Sequence, residues 1–441
     1  MLSLLETSLQ QHIDAGLTAD PGLYQILIPW TPGAHAPMLD WLNASALYPQ
    51  FYWQDRDGAQ EAAAAGELMR FPCPERAEAF LAEHPAFPAL RLWGLNAFGA
   101  GGGEPESCLF LPRLTWQREG AAHQLILNLA SPVSVLADAR TFLAFLRQSA
   151  PARASQPWSV RLQDAVHQPE WPQWREMVTQ ALASLGQGGL AKVVLARRTR
   201  LGFCGHLSPT ALMDASRRVN HHCYHFMLAW SAQRAFLGSS PERLYRRRRD
   251  RLDTEALAGT VASHSQSASA EQLADWLMGD DKNQRENLLV VDDICQRLRP
   301  AAVSLDVMAP EIVRLRTVQH LRRTILARLS CASDARCLAM LQPTAAVAGL
   351  PRGAARVFIA RHEPFDRQWY AGSAGYLSAA RSEFCVSLRC ALLEGQAVWL
   401  YAGAGIVDGS DPEQEWREID NKAAGMRTLF AGSGDDQFLP K

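Results

Sequence analysis

The chain has 441 residues, 48% of them hydrophobic, with 44 Lys+Arg set against 45 Asp+Glu. That length can bury one large core or two ordinary ones, and the near-balanced charge offers no global field for nucleic acid or a membrane. Nine scattered cysteines without a CxxC pair argue against a disulfide framework and against structural zinc.

The opening MLSLLETSLQQHIDAG reads as an amphipathic helix without the basic and apolar regions of a signal peptide. No window approaches the ~18 consecutive apolar residues of a membrane span. A soluble protein of the cytoplasm is expected. LYQILIPW, QFYWQDRDG, LRLWGLNAF, SCLFLPRLTWQREG and HQLILNLA read as strands of a meandering antiparallel sheet, making 1–150 a β-rich half. Gly99 to Gly103 lacks GxGxxG spacing and reads as a connection between two of these strands. Ser149 to Pro157 reads as a second connection.

Beyond it, Trp171 to Leu185 reads as a helix and 192–201 (KVVLARRTRL) as a buried strand. Strands at 225–230 and 235–248 flank a turn at Ser231 to Arg234. Glu271 to Leu298 reads as one long helical region and 311–329 as another. The strands 383–393 and 397–407 form a hairpin around Glu394-Gly395-Gln396. The last helix starts with Asp411 as N-cap, Pro412 at N1 and Gln414 at N3. Long antiparallel stretches mixed with helices, without βαβ alternation, predict an α+β fold.

In the last helix, Trp416, Ile419, Ala423 and Met426 make an apolar stripe, beside which run Glu415, Glu418 and Lys422. In 271–298, the stripe Leu288, Val291, Cys295 and Leu298 is flanked by Asn283, Glu286, Val290 and Asp293. Taken alone, such charges read as solvated helix faces. Together, carboxylates on two helices could hold Mg²⁺ if a substrate supplied further oxygens. Lys192 leads into apolar Val193 to Ala196, where it either snorkels at the strand end or turns inward as a general base. Glu242 follows the tight turn Gly238 to Pro241, and apolar surroundings there would raise its pKa and suit a general acid. Arg389 alternates away from Phe384, Val386 and Leu388, as a carboxylate ligand would. Ala402 to Gly405 is small enough for backbone N–H groups to approach an anion.

The segments KVVLARR, FLGSSPERL, TEALAGT, DDKNQREN, VQHL, QPTAAVAGLPR, WYAGSAGY, SLR and YAGAGIV with SDPEQEWREIDNKA occur in the order found in chorismate-utilising enzymes. By these motifs 170–428 resembles that family's catalytic core, and YPQFYWQ with LRLWGLNAF extends the resemblance toward the isochorismate synthases of the menaquinone pathway. The resemblance implies one compact α+β domain over 1–441, with chorismate as substrate and Mg²⁺ as cofactor. It implies Lys192 as general base, Glu242 as general acid, and Glu286 and Glu418 as magnesium ligands. Arg389, Tyr370 and the backbone at Gly403 would grip the enolpyruvyl carboxylate. His320, Thr344, Gly259, Thr260, Glu415 and Lys422 match other pocket positions.

Several features invite other readings. The run Arg246 to Arg249 resembles a nucleic-acid patch, but without interleaved aromatics it reads as a solvated hairpin tip. His221, His222 and His225 lack a carboxylate partner nearby in sequence and read as structural rather than metal-binding. Within the family, anthranilate and aminodeoxychorismate synthases use ammonia with a glutaminase subunit. Lys192 suits water better, Ala258 stands where aminodeoxychorismate synthases carry a lysine, and no glutaminase partner is expected. Salicylate synthases share the base, acid and metal positions, and a siderophore-pathway isochorismate synthase is the other alternative. The N-terminal resemblance separates them. No motif sets an oligomeric state.

Overall fold

The computed structural model describes residues 1–32, 37–99, 107–149, 160–263, 267–316 and 318–430. The Gly99 to Gly103 and 149–157 connections lie, apart from Gly99 and Ser149, outside them. Helices and antiparallel strands mix throughout, as α+β requires. No helix among the described residues is long and apolar enough to cross a membrane.

The strands form two arms that share Ser107–Glu119. The first arm runs in space through Gly22–Pro29, Ala122–Ser131, Ser107–Glu119, Gln60–Phe71, Gln50–Gln54 and Tyr224–Ser231. It continues through Arg234–Ser240, Cys390–Glu394, Ala397–Ile406 and Lys192–Cys204 to Arg161–Gln168. The second leaves Ser107–Glu119 through Leu92–Asn96, Ser373–Leu377, Arg381–Val386, Arg243–Arg248 and Arg251–Ala262. It ends in Val318–Leu329, with Ala302–Val307 and Glu311–Arg314 on its far edge. Every pairing is antiparallel.

Burial on both faces explains why QFYWQ lacks polar alternation. Phe51 and Trp53 belong to a core joining the two arms, where Phe51 meets Trp93 at 5.7 Å between ring centroids. Tyr52, pointing the other way, joins a second core under the helices Leu2–Asp14, Val135–Gln148 and Pro209–Val219.

Two of the chain's passages between the arms lie side by side. Arg234–Ser240 pairs with Cys390–Glu394 in the first arm, whereas Arg243–Arg248 pairs with Arg381–Val386 in the second. The crossings are Pro241-Glu242 and Ser387 to Arg389. The Ser239 N–H donates to the Arg389 carbonyl at 3.1 Å, and the Val386 N–H to the Glu242 carbonyl at 3.0 Å. Arg389 has φ +48°, in the left-handed region that costs a non-glycine residue about 1–2 kcal/mol. The strand expected over 383–393 is therefore broken at Ser387 to Arg389.

Further expectations need correction. The stretch 235–248 is two strands parted at Pro241-Glu242, and Gly238 to Ser240 extend the first rather than forming a tight turn. Residues 311–329 are not a helix but the strands Glu311–Arg314 and Val318–Leu329. Leu321, Ile325, Ala327 and Leu329 are buried at alternating positions, the period of two of a strand. The region 271–298 is two helices, Ser267–Gly279 and Asp281–Leu298. They part at Asp280, whose side chain caps the second by accepting from the Asn283 N–H at 2.9 Å. Leu288 is 43% exposed, and the buried stripe is instead Asn287, Val290, Val291, Ile294 and Leu298. Asn287 holds this place because its amide donates to the carbonyls of Ala256, Ala258 and Leu321, tying helix to sheet. The arginine run is not wholly solvated: Arg247 is buried in a two-pronged bond to Asp334. The other helices, the hairpin at Gly395 and the Asp411 cap match expectation.

Candidate active site

The strand crossings, the start of Lys192–Cys204 and the helices Asp281–Leu298 and Pro412–Arg427 enclose a cavity of 360 Å³. Lys192, Glu242, Gly259, Thr260, Glu286, His320, Tyr370, Arg389, Gly403, Glu415, Glu418 and Lys422 all line it. Thr344 does not; it is buried beside the cavity wall formed by Ala346 and Val347, and its hydroxyl has no hydrogen-bond partner among the described residues.

Lys192 is 2% exposed, and its Nζ donates to Glu286 Oε1 at 2.7 Å. Two glycines make this possible. Gly349 lies at φ +123°, and a Cβ there would stand 2.2 Å from the Lys192 carbonyl oxygen. A Cβ on Gly405 would stand 3.0 Å from Lys192 Cε. Burial works against the Glu286 carboxylate, yet Lys192, with Lys422 behind it, holds its pKa below the ordinary value.

Glu242, at the first crossing, is 3% exposed. Burial first, and then the Glu255 carboxylate, pushes its pKa from 4.5 up to about 8 against the pull of Lys192, Lys422 and Arg56. Glu242 is therefore a protonated acid at neutral pH. Glu415, on the last helix, is pushed up to about 7 by burial and by Glu418, one turn away, although Ser410 donates to it at 2.8 Å.

Arg389, at the second crossing, donates to the Lys422 carbonyl at 3.1 Å and contacts His320 Nε2 at 3.4 Å. Burial, followed by Arg389 and Lys422, pulls the His320 pKa well below 6.5, so the ring is neutral. An arginine only donates, so Nε2 accepts and Nδ1 carries the proton toward Thr260 Oγ1 at 3.0 Å. Lys422 Nζ donates to the Gly403 carbonyl at 3.0 Å and pairs with Glu418 at 2.6 Å. The Tyr370 ring stacks on Tyr401, and a Cβ on Gly403 would stand 2.8 Å from its hydroxyl. Gly403 is thus small to admit the phenol. Its strand is engaged with Lys192–Cys204 at Ala196, and its carbonyl, not its N–H, meets a site residue.

The donor set suits magnesium. Glu286 and Glu418 come from different helices and face the same cavity, and both are hard oxygen donors. Among the described residues no three His, Cys, Asp or Glu converge into a closed metal cage. Magnesium needs none, since it keeps several waters and takes one or two carboxylates plus substrate oxygens.

Sequence reasoning passed over Lys282, which lines the cavity one turn before Glu286, a spacing that could have exposed it. It also missed Arg56 and Glu255, which meet beneath Glu242 across 199 residues of chain, a separation that leaves no local signal.

A family model described as chorismate binding enzyme matches residues 102–431. Isochorismate synthase MenF of Escherichia coli is 52% identical, over 96% of this chain and 97% of that protein. Isochorismate synthase MenF of Pasteurella multocida is 41% identical over 89% and 90%. The solved structure of the menaquinone-specific isochorismate synthase of Escherichia coli superposes with a TM-score of 0.92 at 51% identity, covering 96% of this chain and 99% of that one. Anthranilate synthase component I of Streptococcus pneumoniae shares the fold, with a TM-score of 0.64 at 20% identity.

Proposed function

The chain belongs to the chorismate-binding enzymes, and from that premise we propose that it is a cytoplasmic, magnesium-dependent isochorismate synthase of menaquinone biosynthesis. It adds water at C2 of chorismate and expels the C4 hydroxyl, with no glutaminase subunit. The observation that carries this reading is a buried lysine and a carboxylic acid protonated at neutral pH, brought to one cavity from a strand start and a strand crossing.

Water needs a base near the attacked carbon, and hydroxide needs a proton to leave. Lys192 takes the proton from water. Glu242, already protonated, gives its proton to the departing hydroxyl. Arg389, with Tyr370 beside it, holds the enolpyruvyl carboxylate, and neutral His320 fixes the guanidinium from behind. Gly403 contributes room for Tyr370 and an acceptor for Lys422. Glu286 and Glu418 would hold Mg²⁺, which when bound supplies positive charge for the ring carboxylate and competes with Lys192 for Glu286. Glu415, Gly259, Thr260 and Lys422 complete the wall. The interleaving of 50–54 and 92–96 with strands beyond residue 224 supports reading 1–441 as one unit, with 1–150 its β-rich part and 170–428 its catalytic core.

The test is to incubate the pure protein with chorismate and Mg²⁺ and to identify products by chromatography and mass. Isochorismate as sole product is expected. Salicylate with pyruvate would assign the chain to the salicylate synthases instead, and turnover undiminished by a chelator would remove the metal.

A further inference from the structure

The turn after the Gln50–Gln54 strand sends Arg56 beneath the active site, where it meets Glu255 of the Arg251–Ala262 strand. The pair is two-pronged, at 2.7 and 3.0 Å, with side chains 8% and 0% exposed. Neither residue lines the catalytic cavity. Arg56 Nη1 also donates to the Pro241 carbonyl at 2.8 Å, and Glu255 Oε1 accepts the Arg243 N–H at 2.8 Å. Pro241 and Arg243 are the residues on either side of Glu242. At the crossing the Glu242 carbonyl still accepts the Val386 N–H and the Glu242 N–H meets Ser240 Oγ at 3.3 Å, but the flanking Pro241 carbonyl and Arg243 N–H need partners from outside the strand ladder. The ion pair supplies them on both sides. Behind it, the Arg243 side chain is held by the Tyr224 hydroxyl at 2.8 Å, and Tyr224 donates in turn to Glu383 at 2.9 Å.

We propose that Arg56 and Glu255 are positioning residues for Glu242, clamping the peptide on either side of it so that its carboxyl is presented to the cavity. This rests on the reading of Glu242 as proton donor. A buried ion pair is weak evidence for a stabilising role, but one joined to both flanks of a reacting residue fixes its place, and a displacement of 1 Å at such a group can cost about 10²-fold in rate. Glu255 adds a second effect in the same direction: its charge is the largest influence after burial that keeps Glu242 protonated.

The test uses Arg56→Met and Glu255→Gln, each in the wild-type and in the Glu242→Gln background, with thermal melts to confirm folding. Glu255→Gln keeps an oxygen for the Arg243 N–H and guards against a folding failure at position 56. In the wild-type background kcat should fall about 10–100-fold, while KM for chorismate stays within about two-fold, because the clamp does not touch the carboxylate grips. In the Glu242→Gln background neither change should lower the residual kcat further, since groups acting through one residue are not additive. Arg56 also lines a separate cavity of 420 Å³ with exposed Asp57, His221 and His222. Guanidinium should therefore enter and restore turnover to Arg56→Ala, whereas equal sodium chloride should not. Wild-type kcat in folded Arg56→Met and Glu255→Gln, losses that multiply with Glu242→Gln, or no rescue by guanidinium of a folded Arg56→Ala would each overturn the clamp. Undiminished kcat in Glu242→Gln alone would remove the proton-donor reading and the clamp with it, and that single variant tells this failure from the others.

Discussion

Replacing Glu242 by glutamine should make the protein more stable and less active at the same time. A carboxyl whose pKa rises from 4.5 unfolded to about 8 folded binds, between those values, a proton that the unfolded chain has released. The native state therefore becomes less favourable as pH rises through this window. Below 4.5 both states are protonated and the penalty vanishes; above about 8 it is fully present. Each pH unit is worth ~1.4 kcal/mol, so the penalty at pH 7 is about 3 kcal/mol. Glutamine has the shape of the protonated acid and cannot ionise, so it escapes this cost. Urea unfolding of both proteins at pH 5, 6, 7 and 8 should show a glutamine advantage that is small at pH 5 and widens with each step. Turnover by the variant should meanwhile fall roughly 10²–10⁴-fold, the usual worth of a positioned acid. The wild type should itself lose activity as pH rises through about 8. A stability difference independent of pH, or a glutamine variant less stable at pH 8 than at pH 5 relative to wild type, would refute the claim that the acid is buried and neutral.

Three further outcomes follow from the same geometry. Lys192→Gln should lose roughly 10²–10⁴-fold in turnover in both directions, chorismate to isochorismate and back, with ligand affinity retained; a near-normal rate in either direction would reassign the base. Arg389→Ala should raise KM strongly and lower kcat less, because a carboxylate grip acts on ground and transition states alike; low kcat at unchanged KM would place Arg389 in the chemical step. Glu286→Gln and Glu418→Gln should each abolish magnesium-dependent turnover and weaken Mn²⁺ binding measured by electron paramagnetic resonance; unaltered binding would move the metal elsewhere.

Residues whose chemistry is written in neighbouring letters were legible. Lys192 ahead of four apolar residues left two readings, snorkelling or turning inward, and burial decides for the second; Glu242 is buried as read, although the tight turn expected before it is extended strand through Ser240. The Asp411 cap and the Gly395 hairpin follow from turn chemistry and appear as read. What failed did so where two periods compete. Val318 to Leu329 carries Leu321, Ile325 and Leu329 at i, i+4 and i+8, a spacing that fits a helix and a strand alike, and only its pairing with 251–262 decides between them. Leu288 looked like a core residue because it is apolar, but the place belongs to Asn287, whose value lies in three carbonyls far away in sequence. The break at Arg389 was invisible for a like reason: alternation continues through it, and the left-handed residue is imposed by the passage from one arm to the other.

The pairing of Lys192–Cys204 with Ala397–Ile406 also governs when the protein can come into being. A ribosome adding about 5–20 residues per second takes roughly 10–40 s to travel between these two strands. During that time Arg161–Gln168 can cover one edge of the lysine strand, while the other remains an open apolar template. Lys192 is thus synthesised long before the strand that walls its cavity, and a nascent chain stalled short of residue 397 would present KVVLARRTRL to whatever else was being made nearby. Truncations that remove the last hundred residues should accordingly yield inclusion bodies rather than a weakened enzyme.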